Sequence, residues 1–434
     1  MKDSLTAVDA DRVGREMHAF ISDLYPICRS ITGDGIRETL RRVGDHISVD
    51  IHEVPTGTDV LDWTVPKEWN IRDAFIKNGR GERVVDFKQS NLHVVNYSVP
   101  FRGRVSLVDL RSRLFTLPDH PDWIPYRTSY YKEDWGFCLS QRQLESLADE
   151  EYDVCIDSSL HEGQLVYGEC YLAGELSDEV LFSSHICHPS LCNDNLSGVA
   201  LAVHLASQLA RRVTRYSYRF LFIPGTIGSI TWLARNEAAI ERIRHGLVIA
   251  CVGDPGEFTY KKSRQGSAEI DRAAVHVLRH TGRPHEVIEF SPYGYDERQF
   301  CSPGFDLPVG SLTRTPHGRF PEYHTSADNL DFVKATCLGE SLAIFEQVVD
   351  VLERNKRYVN LFPKGEPQLG KRGLYPETGG GRAEIRRNAL LWVLNFSDGQ
   401  HTLLDIADRA GLSFEHISAA ASDLVKHGLL MESL

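Results

Sequence analysis

The sequence predicts an α/β protein, built on a mostly parallel or mixed sheet between helices, with an inserted mainly β domain and a C-terminal winged helix. Between residues 151 and 360, strand-like runs alternate with helical runs, as in sheets that helices cover on both faces. Residues 56–150 contain short apolar runs separated by proline and glycine, which predicts strands and little helix. Residues 370–434 combine helical runs with a short strand. We therefore expect three domains, the first made of 1–55 and 151–360.

Hydrophobic periodicity predicts the helices and strands of the first domain. The predicted helices are Asp9–Tyr25, Gly35–Ile47, Leu196–Arg211, Trp232–Ile243, Ile270–His280 and Ala335–Arg354. The predicted strands are Val49–Val54, Asp153–Asp157, Leu165–Leu172, Val180–Ser184, Tyr218–Ile223, Leu247–Val252, Glu286–Phe290 and Val309–Leu312. In such a sheet the active site lies at the carboxyl ends of the strands, so residues that follow strands are the candidates for chemistry.

Shorter patterns predict the other two domains. The inserted domain includes a strand-like run over Leu92–Tyr97, and the Pro/Gly-rich stretch Leu361–Gly381 is typical of a linker. The elements expected of a winged helix follow it: Arg386–Leu394, Leu403–Ala410, Ser413–His427 and Leu429–Met431. Gly370–Leu434 holds seven Lys or Arg and eight Asp or Glu, a poor match to phosphate. We therefore expect this unit to contact proteins rather than nucleic acid.

Composition and charge favour a cytoplasmic, globular protein. The chain has 434 residues, of which 42% are hydrophobic, and a formal net charge of −12. This charge disfavours general binding to nucleic acid or to an anionic membrane. No apolar run is long enough to span a membrane, and Met1–Arg15 lacks the apolar core of a signal peptide. Nine scattered cysteines indicate reduced thiols rather than a disulfide framework.

The densest group of candidate metal ligands lies in residues 185–198, the run His-Ile-Cys-His-Pro-Ser-Leu-Cys-Asn-Asp-Asn-Leu-Ser-Gly. His185 and His188 follow a predicted strand, and Asp194 comes just before a predicted helix. Imidazole and carboxylate are ligands of zinc and similar divalent ions. The alternative is a helix-capping Asp beside two loop histidines, because a carboxylate is also favoured at a helix N-terminus.

Two later residues are placed to join this group at the same edge of the sheet. Asp254 follows the predicted strand Leu247–Val252, and His324 lies just before the long helix Ala335–Arg354. Each of them alone is also typical of a turn. Together with the earlier run, they supply imidazoles and carboxylates in the order expected of a metal hydrolase.

Several runs of the chain resemble a known group of enzymes. The run Asp-Asn-Leu-Ser-Gly (194–198) after a strand-end His, the later Asp254 and the run Tyr-His-Thr (323–325) resemble the co-catalytic zinc aminopeptidase superfamily. Over nearly its full length, the chain resembles a bacterial family of aminopeptidase-like proteins that carry an inserted domain of unknown function and a C-terminal winged helix. Further matching runs begin at Val65, Ser90, Ile124, Cys187, Ser263 and Tyr295.

The resemblance implies a zinc site and a role for each ligand. Asp194 would bridge two metal ions, Asp254 would complete one site and His324 would serve the other. One of two histidines would act with Asp254. The resemblance of the Cys-His-Pro-Ser run to the close family favours His188, and the position directly after the strand, which matches the wider superfamily, favours His185. The sequence leaves open whether one ion or two are bound.

The chain departs from the superfamily where a general base is expected. Zinc aminopeptidases of this kind place two adjacent Glu after the strand that corresponds to Tyr218–Ile223, and the close family carries one, in Glu-Thr-Ile-Gly-Ser. This chain has Gly225 there. Loss of a positioned general base costs about 10²–10⁴-fold in rate. Glu297 and Glu322 are candidate substitutes, and the alternative for each is a surface or structural role.

The same late loops carry candidate substrate contacts. The guanidinium fork of an arginine binds carboxylates and phosphates, so Arg264, Arg298 and Arg314 are candidates for substrate binding. Tyr323 is a candidate donor to a developing oxyanion. The alternatives are solvated surface charges for the arginines and a packing role for the tyrosine.

Three functions are compatible with this sequence. The first is a metal-dependent, aminopeptidase-like enzyme with zinc as cofactor, acting on a small peptide or amide. The second is a non-hydrolytic enzyme of small-molecule biosynthesis, catalysing cyclisation or acyl transfer, for which the missing base would not be needed. The third is a binding or scaffold protein that has kept the fold without its activity. A homo-oligomer is compatible with all three.

Overall fold

The computed structural model describes residues 7–375 and 381–433. These residues form two compact units: 7–268 with 286–343, and 269–285 with 344–375 and 381–433. Residues 1–6, 376–380 and 434 lie outside the described part. The predicted linker Leu361–Gly381 includes residues 376–380, so the structure describes only its remaining residues.

The elements are numbered in chain order. The helices are α1 Ala7–Leu24, α2 Asp34–Gly44, α3 Leu107–Leu110, α4 Gln141–Ser146, α5 Gly198–Leu209, α6 Ile227–Arg235, α7 Glu237–Ile240, α8 Glu269–His280, α9 Glu297–Phe300, α10 Ala335–Arg354, α11 Gly381–Phe396, α12 Leu403–Ala410 and α13 Phe414–Lys426. The strands of the first unit and of the central sheet are β1 Asp50–Pro55, β2 Asp59–Val60, β3 Trp63–Thr64, β4 Glu68–Lys77, β5 Arg83–Asp86, β6 Phe101–Ser106, β7 Leu114–Phe115, β8 Phe137–Cys138, β9 Glu151–His161, β10 Gln164–Leu172, β11 Glu179–His185, β12 Ser217–Ile223, β13 Ile243–Ile249, β14 Phe258–Lys261, β15 His285–Ile288 and β16 Val309–Thr313. The later strands are β17 Arg357–Asn360, β18 Asp398–Thr402 and β19 Leu430–Ser433.

A mixed sheet of eight strands forms the centre of the fold, in the order β1-β10-β12-β11-β13-β16-β14-β15. The four inner strands β12, β11, β13 and β16 are parallel to one another, whereas β1, β10 and β14 pair antiparallel with their neighbours. Every residue of β11 and β12 is buried, as expected for strands that are covered on both faces. Helix α5 packs on β11, and α2 packs on β10. The predicted α/β fold class is confirmed.

Two elements after β12 lie elsewhere than the sequence predicts. Instead of one helix over Trp232–Ile243, α6 begins at Ile227 and α7 ends at Ile240, and β13 replaces the predicted strand Leu247–Val252. The helix begins early because the N–H groups of Gly228 and Ile230 already donate to the carbonyls four residues before them, those of Pro224 and Thr226. The apolar run then continues through α7 into the buried strand, so periodicity alone does not mark the boundary.

The inserted region is built on a second sheet, of four antiparallel strands in the order β5-β4-β9-β6. Its strand β9 covers Glu151–His161, so this sheet extends past the predicted limit at residue 150. The strand predicted over Leu92–Tyr97 is a 3₁₀ turn at Asn91–His93, followed by isolated bridges. The Ser90 side chain accepts the Leu92 N–H and starts this turn, which a pattern of apolar residues does not reveal.

The second unit contains the elements of a winged helix. Its three-stranded sheet has the order β18-β17-β19, and α12 and α13 pack against α11. Thr402 caps α12 through a capping box with Asp405. The central strand β17 lies upstream of residue 370, where the sequence predicts the domain to begin. Among the described residues, none of the helices combines the length and apolar character needed to cross a bilayer.

A buried ion pair stabilises the start of β11. Glu179 is fully buried and accepts from Arg219 at 2.7 Å and 3.0 Å, and Arg242 donates to the same carboxylate at 2.7 Å. Arg219 on β12 is itself buried and also contacts Glu169 of β10. This network connects three neighbouring strands at the edge of the sheet opposite to that of His185.

We expect Glu179→Ala to lower the free energy of unfolding by about 3 kcal/mol, because it leaves buried guanidinium groups without their partner. The neighbouring pair Asp178–Arg244 is largely exposed and provides the control. Asp178→Ala should cost less than about 1 kcal/mol. Urea denaturation measures both variants, and equal losses would contradict the assignment.

Candidate metal centre

The candidate metal ligands lie at the carboxyl edge of the parallel strands. His185 is the last residue of β11 and is in register with Ile223, the last residue of β12. His188 lies in the loop that follows β11, and Asp194 lies in the segment that leads into α5. Helix α5 packs on β11, which brings the loop after β11 and the segment before α5 to the same place. Asp194 is 1% exposed and His185 is 5% exposed, so the ligand atoms are withdrawn from solvent.

Three imidazoles surround the carboxylate of Asp194. His185 Nε2 lies 2.8 Å from Oδ1, and His324 Nε2 lies 3.0 Å from Oδ2. His188 Nε2 lies 3.8 Å from Oδ2. Ligand atoms of His185, His188 and Asp194 all lie within 4.8 Å of one another. The structure thus brings together four of the five predicted ligands, including both alternatives of the first run.

Hydrogen bonds hold the segment Cys192–Ser197, whose backbone departs from helical angles at Asp194 and Asn195. The backbone N–H groups of Asn193 and Asp194 donate to the two carboxylate oxygens of Asp328, at 2.6 Å and 2.9 Å. The Asn195 side chain donates to backbone carbonyls at the ends of β11 and β13. The Asp194–Asn195 peptide bond is cis. The sequence analysis did not select Asp328, which lies four residues after His324 and whose position gave no signal of this contact.

Tyr126, from the inserted region, packs against two of the histidines. Its ring centroid lies 5.2 Å from that of His188 and 5.0 Å from that of His324. Its backbone N–H donates to the His324 carbonyl at 2.7 Å. On its other side, the His324 ring stacks on Tyr323 at 4.0 Å. One signal for Tyr126 was present in the sequence, since this residue belongs to the family-matching run that begins at Ile124.

Burial and mutual contact set the protonation of the cluster. Burial lowers the pKa of His188 to about 3, so this imidazole is neutral at neutral pH. Burial opposes ionisation of Asp194, but the surrounding imidazoles hold the pKa of this carboxyl well below its usual range. Burial also acts against protonation of His185. The nearby Asp194 carboxylate outweighs this effect, so the pKa of His185 is raised overall. A neutral imidazole and an ionised carboxylate are the forms that bind a metal ion.

The donor set fits zinc. Imidazole nitrogen and carboxylate oxygen are both zinc ligands, and any three of these four groups would leave the fourth position of a tetrahedral ion open, as in catalytic zinc sites. The Nε2 atoms point to Asp194, while the second nitrogen of His188 contacts Cys187 Sγ at 3.3 Å and that of His185 lies 3.3 Å from Asn195 Nδ2.

Comparison with known proteins assigns the chain to a family. Residues 18–355 match the family model described as Domain of unknown function (DUF4910), and residues 356–432 match the model of a winged helix-turn-helix. The chain belongs to the DUF4910 family. A curated relative from Clostridium acetobutylicum is 52% identical over 423 residues, which cover 97% of both chains. That relative is named as a candidate polysaccharide biosynthesis protein with an aminopeptidase-like domain.

Solved structures share the fold of this DUF4910 chain. A crystal structure of a candidate peptidase from Clostridium acetobutylicum has a TM-score of 0.94 and 50% identity, covering 98% of both chains. A zinc aminopeptidase from Bacillus subtilis has a TM-score of 0.56 and 12% identity, covering 78% of this chain and 94% of its own. A peptidase M28 precursor from Shewanella amazonensis has a TM-score of 0.54 and 13% identity, covering 80% and 97%. The predicted resemblance to aminopeptidase-like proteins and the predicted C-terminal winged helix are confirmed.

In this DUF4910 chain, Asp254 does not join the metal cluster. Its Oδ1 accepts the Gly256 N–H at 2.8 Å and the Thr315 hydroxyl at 2.5 Å. Its Oδ2 accepts from Asn193 Nδ2 at 3.0 Å. These donors occupy the carboxylate, which therefore connects the loop after β13 to the segment that carries Asp194. The position of Asp254 after a strand identified the correct edge of the sheet, but the hydrogen bonds turn its side chain into the loop.

The three candidate arginines have different surroundings. Arg264 is exposed and pairs with Asp306 at 2.6 Å. Arg314 is buried and donates to two backbone carbonyls, so its role is structural. Arg298 lies near the site: its Nη2 is 3.4 Å from Thr226 Oγ1, directly after Gly225, and its Nε is buried without a partner among the described residues. Of the three, Arg298 stays a candidate for substrate binding.

In the part of the chain that the structure describes, neither candidate carboxylate forms a hydrogen bond to the histidines of the cluster. Glu297 is fully buried and accepts from Lys261 Nζ at 2.8 Å. Among the described residues, the Glu322 carboxylate has no hydrogen bond or ion pair that would direct it to the cluster. The residue that the sequence analysis missed is Asp296, which accepts the Thr226 N–H at 2.6 Å and whose pKa burial raises. Asp296 therefore holds the loop in which a catalytic Glu is expected.

Gly225 leaves open space beside the first histidine. A Cβ atom at this position would lie 3.6 Å from Cys187 Sγ and 3.8 Å from His185 Cβ, which are ordinary van der Waals distances. The Gly225 N–H donates to Cys187 Sγ at 3.3 Å, so the thiol orients this turn. A side chain added here would therefore start without a clash, next to His185.

We expect Asp194→Asn to weaken zinc binding by more than about 100-fold, because it removes the carboxylate on which the imidazoles converge. Asp254→Asn is the matched control, and it should weaken zinc binding by about tenfold at most, as for a residue outside the ligand set. Competition with a chelator measures both affinities. If Asp254→Asn loses more zinc affinity than Asp194→Asn, Asp254 is a ligand, as the resemblance to the superfamily implies.

Proposed function

We propose that this protein is a zinc-dependent enzyme of the aminopeptidase type that acts on an amide bond of a small peptide or amide. The observation that carries the proposal is the convergence of His185, His188 and His324 on the buried carboxylate of Asp194. A buried charge costs several kcal/mol unless it is paired or coordinates a metal ion. The shared fold with zinc aminopeptidases supports the same cation and the same class of reaction.

Each residue of the cluster has a proposed role. His185, His188 and Asp194 would hold the ion, and His324 would be a further ligand from the later loop. Bound zinc polarises a carbonyl and lowers the pKa of bound water to about 7. Burial raises the pKa of Tyr323, which keeps its hydroxyl protonated as a donor to a developing oxyanion.

The missing base supports a second candidate function. Without a carboxylate at Gly225, water is not activated by the usual group, and the space beside His185 is left open. A cyclisation or acyl transfer uses zinc as a Lewis acid toward the carbonyl and takes its nucleophile from the substrate. The name of the Clostridium relative supports a substrate from polysaccharide biosynthesis. We therefore propose an amide-bearing glycan precursor as the substrate class for either reaction.

We also propose a cellular setting for the protein and a role for its winged helix. All nine cysteines are free thiols, which supports a reducing, cytoplasmic setting. Helix α13, in the position of a recognition helix, carries Glu415 and Asp423, and Asp423 pairs with Arg386 at 2.9 Å. Acidic groups on this helix oppose contact with phosphate. We propose that the winged helix contacts a protein.

We expect the protein loaded with zinc to turn over aminoacyl amides slowly, and the rate to fall by at least about 10²-fold in His188→Ala, because a metal ligand is lost. His161→Ala, at an exposed position at the end of β9, is the control and should keep the full rate. Release of amine from a panel of amides measures turnover. A rate that does not depend on zinc, or equal rates in both variants, would contradict the enzymatic proposal.

We expect Gly225→Glu to raise amide hydrolysis by about 10²-fold, since it returns a carboxylate base to a position with space for it. Gly225→Gln has the same shape without the basic oxygen and should leave the rate unchanged. Steady-state kinetics with zinc content measured in parallel checks the pair. If Gly225→Glu binds zinc and gains no activity, the missing base is not the limiting feature.

A further inference from the structure

A cavity with several polar groups in its wall lies next to the metal cluster, in the same unit. Its volume is about 200 Å³, and its wall includes Lys261, Tyr295, Glu297, Ser311 and His317. None of the roles described for the metal cluster uses this cavity. Its wall nevertheless contains polar atoms that are withdrawn from solvent, as in a site that receives a ligand.

Three buried polar atoms of the wall have no hydrogen-bond partner among the described residues. They are Glu297 Oε2, Ser311 Oγ and His317 Nδ1. Glu297 is 0% exposed and Ser311 is 3% exposed, so both groups are withdrawn from bulk water. Buried polar groups almost always form hydrogen bonds, because an unpaired one costs about 1–3 kcal/mol. Three such atoms on one cavity indicate a ligand that supplies several hydrogen-bonding groups.

The charges of the wall are balanced. Lys261 Nζ donates to Glu297 Oε1 at 2.8 Å and to the Tyr293 carbonyl at 2.8 Å, which leaves one of its N–H groups for a ligand. Arg319, also in the wall, is paired with Glu286. An anionic ligand would face the Glu297 carboxylate and a cationic ligand would face Lys261. The wall therefore favours a neutral ligand.

The mixture of donors and acceptors identifies the chemistry of that ligand. Glu297 Oε2 accepts, Lys261 donates, and Ser311 does both. Thr259 and Thr313 add hydroxyl groups to the same wall. A group with several hydroxyls matches this pattern, because each hydroxyl both donates and accepts.

Tyr295 connects the cavity to the metal cluster. Its ring stacks on His185 with the centroids 5.8 Å apart, and it lies 4.8 Å from the ring of His317. Its hydroxyl accepts the His317 backbone N–H at 2.9 Å. A ligand in the cavity therefore lies against a residue whose ring contacts a proposed metal ligand. A group attached to that ligand can extend past Tyr295 to the cluster.

We propose that this cavity binds a neutral, polyhydroxylated sugar ring of the substrate, with Glu297, Ser311 and Lys261 as its polar contacts. The use of this subsite in catalysis rests on the proposed zinc reaction. The binding itself does not, because none of these contacts involves the metal ligands. Glu297 accordingly has a role in substrate binding rather than as a general base.

Binding of monosaccharides to the full-length protein tests the proposal. The probes are N-acetylglucosamine and glucose, which are neutral, glucosamine, which is cationic, and glucuronic acid, which is anionic. Saturation-transfer NMR detects binding and a titration gives the dissociation constants. We expect the neutral sugars to bind more tightly than both charged ones. Tighter binding of glucosamine or glucuronic acid, or no binding of any sugar, would overturn the proposal.

Two variants locate the binding site. Glu297→Gln should weaken binding of the neutral sugars by about tenfold or more, and Ser311→Ala by about fivefold, since each removes a polar contact. Ser397→Ala, which removes another buried hydroxyl without a partner in the described residues, is the matched control and should bind normally. Melting temperatures confirm that the variants fold, and Ser311→Ala keeps the test valid if Glu297→Gln is unstable. Unchanged affinity in both variants would place the sugar elsewhere.

A third variant separates this proposal from the proposed reaction. His188→Ala should lose zinc-dependent turnover and keep the affinity for neutral sugars. If the wild-type protein shows no zinc-dependent turnover while sugars still bind through Glu297 and Ser311, only the proposed reaction fails. If turnover depends on zinc but no sugar binds, only the subsite fails.

Discussion

The buried negative charge of Asp194 is the constraint on which the rest of the site depends. An ionised carboxylate that is removed from water costs several kcal/mol unless nearby groups compensate for it. Here both oxygens of Asp194 face imidazole nitrogens, from His185 at the end of a strand and from His324 in a distant loop. His188 stays neutral in these surroundings and keeps a lone pair available to a cation. Charge compensation and the proposed metal binding would therefore use the same atoms.

Groups outside the cluster fix its geometry. Asp328 holds the backbone of the segment that carries Asp194, and Tyr126 of the inserted region packs against two of the histidines. The buried Arg29 donates to the His188 carbonyl at 2.8 Å and holds the loop after β11. The four ligands thus depend on the central sheet, on the loop near His324 and on the inserted region together. This dependence gives the inserted region a role in positioning the site.

Local patterns in the sequence predicted the features that depend on neighbouring residues. The alternation of strands and helices predicted the sheet, and strand-end positions predicted His185 and the edge at which the site lies. The direction of a side chain depends on distant partners, so the sequence did not reveal that Thr315 holds Asp254 in the loop or that Arg314 is buried. The same reason explains why Asp328, Tyr126 and Asp296 were missed. Helix boundaries after β12 shifted because helical hydrogen bonds begin directly after that strand.

The central claim is that His185, His188 and Asp194 form one cation site, with His324 as a further ligand. Diffraction data collected on both sides of the zinc absorption edge, from crystals grown with zinc, test it most directly. The account predicts an anomalous peak about 2.0–2.2 Å from ligand atoms of these residues. An absence of zinc at Asp194, or a peak bound by Asp254 without the histidines, would contradict it.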